Sequence, residues 1–166
     1  MKAIMITMKD LKSHTIYDGS VDDDKLIQWA NVAQDIEIQS LLGTRLYKRI
    51  LNDIIDNTLT TPYKELVEEY IKPALIHWSA VHSLPFLAYT VANGGIYKHQ
   101  SETSESVDKK EVDFLIEKER TIAQHYSNLL VDYLCYNNRD FPEYLTNINE
   151  EIKPDREENN FGGWQL

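Results

Sequence analysis

Leu41-Leu42-Gly43-Thr44-Arg45-Leu46-Tyr47 joins two amphipathic helical patterns that together run from Asp22 to Asn57. Upstream, Leu26, Trp29, Ala30, Ala33 and Ile36 return every three or four residues and so share one face of a helix. Downstream, Leu46, Tyr47, Ile50, Leu51, Ile54 and Ile55 form pairs spaced by four, with Lys48, Arg49, Asn52 and Asp53 off that stripe. Gly43 stands where the two patterns meet. With no Cβ it enters left-handed backbone conformations at little steric cost, so it predicts a stop or a bend. Two stripes joined by a tight turn predict an antiparallel helix pair.

Outward from this pair, the first helix is expected to start near Ser20, with Asp22, Asp23 and Asp24 placed against the positive end of its dipole. The three aspartates would otherwise read as a cation site, a weaker account of residues that suit a helix start. Residues 1–20 carry a short β-like run without helical period and read as an N-terminal arm or short strand. Asn57 to Pro62 is turn-rich, and Thr61-Pro62 reads as an N-cap followed by proline at the first helical position. Tyr63, Leu66, Val67, Tyr70, Ile71, Ala74, Leu75 and Trp78 then give the longest apolar face. Pro73 should kink or split that helix, and Pro85 should act similarly near its end.

From Ala92 to Val107 the chain is polar, and Asn93-Gly94-Gly95 signals a turn that heads a β-hairpin or an extended loop. The last long helix should cover roughly 108–137, with Glu119 interrupting its apolar stripe. Arg139-Asp140-Phe141-Pro142 ends it, because the residue before proline is biased away from helix. After Asn147 the composition is too polar to fold alone, yet it finishes in Phe161-Gly162-Gly163-Trp164-Gln165-Leu166. The fold class that results is all-α: an antiparallel bundle of four to five helices, with a long loop or β-hairpin insertion and extended terminal arms. Its parts are an arm over 1–20, a helical domain over 21–146 with the insertion at 92–107, and a tail over 147–166.

Composition narrows function. With 17 Lys plus Arg against 27 Asp plus Glu, the formal charge is −10, which opposes a broad phosphate-binding face. The lone Cys135 cannot form an internal disulfide and suits a reducing compartment. No apolar run reaches the roughly 20 residues of a membrane span, and the N-terminal run is too short for an export signal. A soluble protein is expected.

Reaction chemistry finds little purchase. His77 and His82 are rotated by about 140° on a helix and would not converge on a metal. There is no Glu-x-x-His for a di-iron site. Asn93-Gly94-Gly95 lacks the lysine and helix start of a phosphate loop. Cys135 and His125 would lie about 15 Å apart on one helix, beyond proton-transfer reach. Neither an enzymatic role nor a metal or cofactor is expected. The extensions are the expected partner contacts: Asn93, Gly94, Gly95, Ile96 and Tyr97 in the insertion, and Phe161, Trp164 and Leu166 in the tail, since large aromatics dominate interface energetics.

The order of parts also resembles a known class. Lys9-Asp10-Leu11 and Tyr17-Asp18-Gly19 lead into an aspartate-capped helix, then Ile36 to Tyr47, then a long helix pair separated by Val91-Ala92-Asn93-Gly94-Gly95-Ile96-Tyr97 and a Ser/Glu/Thr run. Over roughly residues 9–146 this resembles the head-tail connector (adaptor) proteins of tailed bacteriophages, most closely the ring proteins of crAss-like and other Bacteroidetes phages. The resemblance implies a structural virion protein of the phage neck, assembled in the bacterial cytoplasm as a homo-oligomeric ring, typically a dodecamer. Its partners would be the portal protein and adjacent ring or tail proteins. DNA would pass through the channel without sequence-specific binding, and no membrane would be involved. The rival expectation is a cytoplasmic bacterial helical adaptor or regulator that binds a protein partner.

Overall fold

The structure is a computed structural model, and it describes residues 3–17, 19–87, 89–92, 95–98, 109–146, 152 and 154, with only the backbone described over 89–98. It is predominantly helical. The elements run α1 (Met8–His14), α2 (Asp23–Ala33), a π turn (Gln34–Ile38) and α3 (Gln39–Ile55). They continue with the short α4 (Tyr63–Glu65), a second π turn (Leu66–Ile71), α5 (Lys72–Leu87), β1 (Tyr89–Ala92), β2 (Gly95–Lys98), α6 (Lys109–Tyr136) and α7 (Pro142–Leu145).

α5 is the central element. Its apolar residues occur on every face, so it is buried nearly all round, from Ala74 through Leu84. α6 packs along one side of it, where Trp78 Nε1 donates to Ser127 Oγ at 2.9 Å. The seam extends into the second π turn through a Tyr70–Tyr133 stack with ring centroids 3.9 Å apart. α2 covers another side, secured by the Trp29–Phe86 stack at 4.1 Å. α2 therefore rests chiefly on α5, not on α3 as an antiparallel partner, and the expected helix pair is corrected accordingly.

Three local expectations are also corrected. The N-terminal arm contains a helix, α1, started by a capping box in which Thr7 Oγ1 accepts from the Asp10 N–H and Asp10 Oδ2 accepts from the Thr7 N–H. These bonds hold the Asp10 carboxyl below its ordinary range, the Thr7 amide contributing most. The cap of α2 is Asp22, whose Oδ1 accepts from Asp24 N–H, and not Ser20; Asp23 is paired to Lys12 at 2.7 Å. Pro62 follows a cis peptide bond and sits in the N-cap position before Tyr63, one place earlier than expected.

The second π turn accounts for Pro73. A proline inside a helix lacks its N–H and crowds the carbonyl four residues back. Here the preceding turn is widened, with Lys72 N–H reaching Val67 O, so the helix passes Pro73 without ending. α3 closes with Asn57 at φ 54°, and the amides of Asn57 and Thr58 bond back to Ile54 O and Asp53 O, a Schellman closure. β1 and β2 pair antiparallel with Ala92 opposite Gly95, the hairpin being one of the two forms, hairpin or extended loop, that the turn signal leaves open.

Candidate docking site at the Gly43 bend

Gly43 lies inside α3 with φ 74° and ψ 155°, a region open essentially to glycine alone. The consequence is a sharp bend. Tyr47 Oη donates to Asp35 Oδ1 at 2.7 Å and accepts from Gln34 Nε2 at 3.3 Å. In a straight helix those residues would be separated by about 18 Å along the axis.

A bend of this kind interrupts the helical ladder and frees an amide, which must find a partner if it is shielded from water. Thr44 N–H finds one in the C-terminal tail, donating to Ile152 O at 3.1 Å. The tail answers: Ile152 N–H donates to Thr44 Oγ1 at 3.2 Å, and Gln39 Nε2 donates to the same hydroxyl at 3.1 Å. Two residues on, Pro154 is buried against the bare Cα of Gly43. A Cβ placed there would stand 2.8 Å from Pro154 Cδ, so glycine is required both for the backbone angle and for the close approach. Pro154 itself has no N–H to satisfy in this contact.

The N-terminal segment is pinned on the same bend. Gln34, fully buried, accepts from Met5 N–H through Oε1 at 2.8 Å and donates through Nε2 to Ala3 O at 3.1 Å. Every polar atom of its amide is thereby used. Burial pushes the Tyr47 phenol up, the Gln34 bond opposing it. Segments from both ends of the chain thus meet one helical bend, held largely through backbone groups.

The titratable pairs elsewhere have a different character. Glu119, whose charge interrupts the α6 stripe, is buried and bonded to His77 Nδ1 at 2.7 Å. His82 Nε2 meets Glu37 Oε1 at 2.9 Å. The two histidines take separate carboxylates, in keeping with their angular separation on α5. A His–Glu pair is part of a catalytic triad, but the adjacent hydroxyls are engaged otherwise: Ser79 donates to Leu75 O, and Ser83 donates to Ser79 O and shares a hydrogen bond with Tyr17 Oη. A cleft of about 550 Å³ opens beside Trp78, His82, Phe86, Ile116 and Arg120, and another of about 260 Å³ beside Asp10, His14, Lys72 and His77. Among the described residues no three His, Cys, Asp or Glu converge as a metal site would need. Cys135 is exposed, its Sγ 3.9 Å from Tyr144 Oη.

Of the partner contacts expected from sequence, Gly95, Ile96 and Tyr97 form β2, with Ile96 opposite Val91 and Tyr97 opposite Thr90. Asn93, Gly94, Phe161, Trp164 and Leu166 lie outside the described residues. Sequence reasoning singled out Gly43 but missed Gln34, Thr44, Ile152 and Pro154. Gln34 was the discoverable one: it sits on the apolar side of α2, one residue after Ala33, where a polar side chain needs a reason.

Residues 38–153 match DUF6712, described as a family of unknown function. The chain belongs to the DUF6712 family. No curated protein and no solved structure matches it. The DUF6712 span begins at the end of the first π turn and closes between Ile152 and Pro154, so it takes in the bend, the hairpin and the first part of the seated tail. Among the described residues of this DUF6712 chain, no helix is long and apolar enough to cross a membrane.

Proposed function

We propose that this protein is a structural component of a phage neck: a head-tail connector subunit that forms a ring, typically a dodecamer, below the portal. The ring would line the DNA exit channel and offer a platform to adjacent ring or tail proteins. In this reading the subunit is a helical bundle whose insertion and tail grip its neighbours. The observation that carries it is the seating of the tail on the Gly43 bend. Ile152 and Pro154 fix the start of the tail on the helical body, as an assembly arm requires, and the sequence after them carries Phe161, Trp164 and Leu166. The resemblance in the order of parts supplies the phage context. An acidic wall, at a formal charge of −10, lets DNA pass without gripping it.

The reading is tested by mixing the purified chain with the portal protein encoded in the same genome and imaging the mixture by electron microscopy. The expected result is an added ring on the narrow end of the portal. A chain that stays free of the portal at every concentration contradicts the reading and favours a cytoplasmic adaptor instead.

A further inference from the structure

One face of α6 carries apolar residues that stay exposed among the described residues. Ile122, Leu129 and Tyr136 recur every seven residues and are 39%, 42% and 91% exposed, while Leu115, seven residues ahead of them, is half-buried against the core. Phe114 beside them is 60% exposed. Their stripe is displaced by about 90° from the buried line through Val112, Glu119, Ala123 and Leu130. A seven-residue repeat is the spacing of a helix that packs along another helix, because 3.5 residues per turn keeps the seam facing its partner. A helix lying nearly along α6 for about 20 Å fits this stripe.

The polar residues between the apolar ones identify which helix. Lys118, His125 and Asp132 also recur every seven residues, all exposed, with the positive charge at one end and the negative charge at the other. When a second α6 is laid antiparallel about His125, Lys118 of each copy meets Asp132 of the other. Ile122 then meets Leu129, and Leu115 meets Tyr136. The charged series centres on residue 125 and the apolar series between 125 and 126, less than about 1 Å apart along the helix axis. A pattern complementary to its own reversal is what an isologous, two-fold contact demands. We propose that two copies of this chain pair through α6 in antiparallel fashion, with the two-fold axis at His125. This does not rest on the connector reading, since an isologous pair is closed by itself and leaves other surfaces for head-to-tail contacts in a ring.

The test uses the full chain. Sedimentation velocity across a concentration series should show a dimer, and Leu129→Glu should reduce it to monomer with an unchanged helical circular dichroism spectrum. Lys118→Asp and Asp132→Lys each turn two attractions into two repulsions, and each should weaken the dimer about tenfold. The double variant should restore it, because the charge order is merely reversed. In a Cys135→Ser background, His125→Cys should link to its own copy under mild oxidation, while Ile27→Cys, exposed on α2, should not. A wild-type monomer at all concentrations would overturn the pairing. So would a dimer indifferent to Leu129→Glu, or a charge-swapped double variant no stronger than the singles.

Discussion

The helical run is disturbed at the π turn Gln34–Ile38, at Gly43 in α3 and ahead of Pro73, and the last two disturbances are repaired differently. Before Pro73 the repair is internal: a π turn widens the helix and the ladder resumes within it. At Gly43 nothing internal suffices, and the freed Thr44 amide takes its acceptor from Ile152, far away in sequence. An internally repaired break stays part of the core. A break completed from outside is a receptor site, because whatever completes it must come as an extended segment with a carbonyl and an amide in the right places. The second case is the one that ties the chain's end to its body.

This contrast is open to mutation. The largest effect should come from Gly43→Ala, which combines a backbone region costly for any side chain with a methyl 2.8 Å from Pro154 Cδ. A loss of about 3 kcal/mol in chemical denaturation is expected, together with faster amide exchange at Thr44. On the α5 side the stabilising groups are buried in the core, and Tyr17 provides a pH readout. Its phenol, bonded to Ser83 and Ala80 O, is pushed up by burial to about 12, with the Ser83 bond opposing and Glu119 adding to the rise. The folded chain keeps that proton where the unfolded chain, near 10, has lost it. The contribution is thus complete below about pH 10 and is lost as pH rises toward 12, by roughly 2–3 kcal/mol. Tyr17→Phe should remove that part of the alkaline decline in a pH series of denaturation midpoints. Tyr63, also raised to about 12 by partial burial and then by its bond to Glu143, leaves a smaller remainder in both proteins.

A smaller change is expected of Thr44→Val, which keeps the shape but deletes the acceptor of Ile152 N–H and Gln39 Nε2. About 1 kcal/mol should be lost, with the Thr44-position amide remaining partly protected. The smallest belongs to Pro73→Ala. The π turn already accommodates the missing donor, so stability should stay within about 0.5 kcal/mol of wild type. A large gain there would mean that the π turn is strained by the proline and that the two breaks are less different than argued.

Much of this was legible in the residues. Most of each helical stripe, the bounds of α6, the turn signal at Asn93-Gly94-Gly95 and the special status of Gly43 follow from local periodicity and backbone chemistry, whereas Ile36 and Ile55, placed on the stripes by their spacing, are exposed. Glu119 stood out as an interruption, but its partner His77 is on another helix and only packing brings the two together. The α1 helix was missed although Thr7-Met8-Lys9-Asp10 carries a capping box, because a seven-residue helix shows too little period to stand out. The seat for the tail was not legible. Its partners are separated by more than a hundred residues, and they meet through backbone groups that every residue possesses.

The central claim, that the Gly43 bend is completed by the C-terminal tail, is tested most directly by hydrogen exchange at the single amide of Thr44 in the full-length chain. The account predicts protection comparable to the neighbouring α3 amides of Leu46 and Tyr47, lost when Gly43→Ala displaces Pro154. Exchange of Thr44 at the rate of a solvent-exposed helix start in the wild-type chain would contradict it.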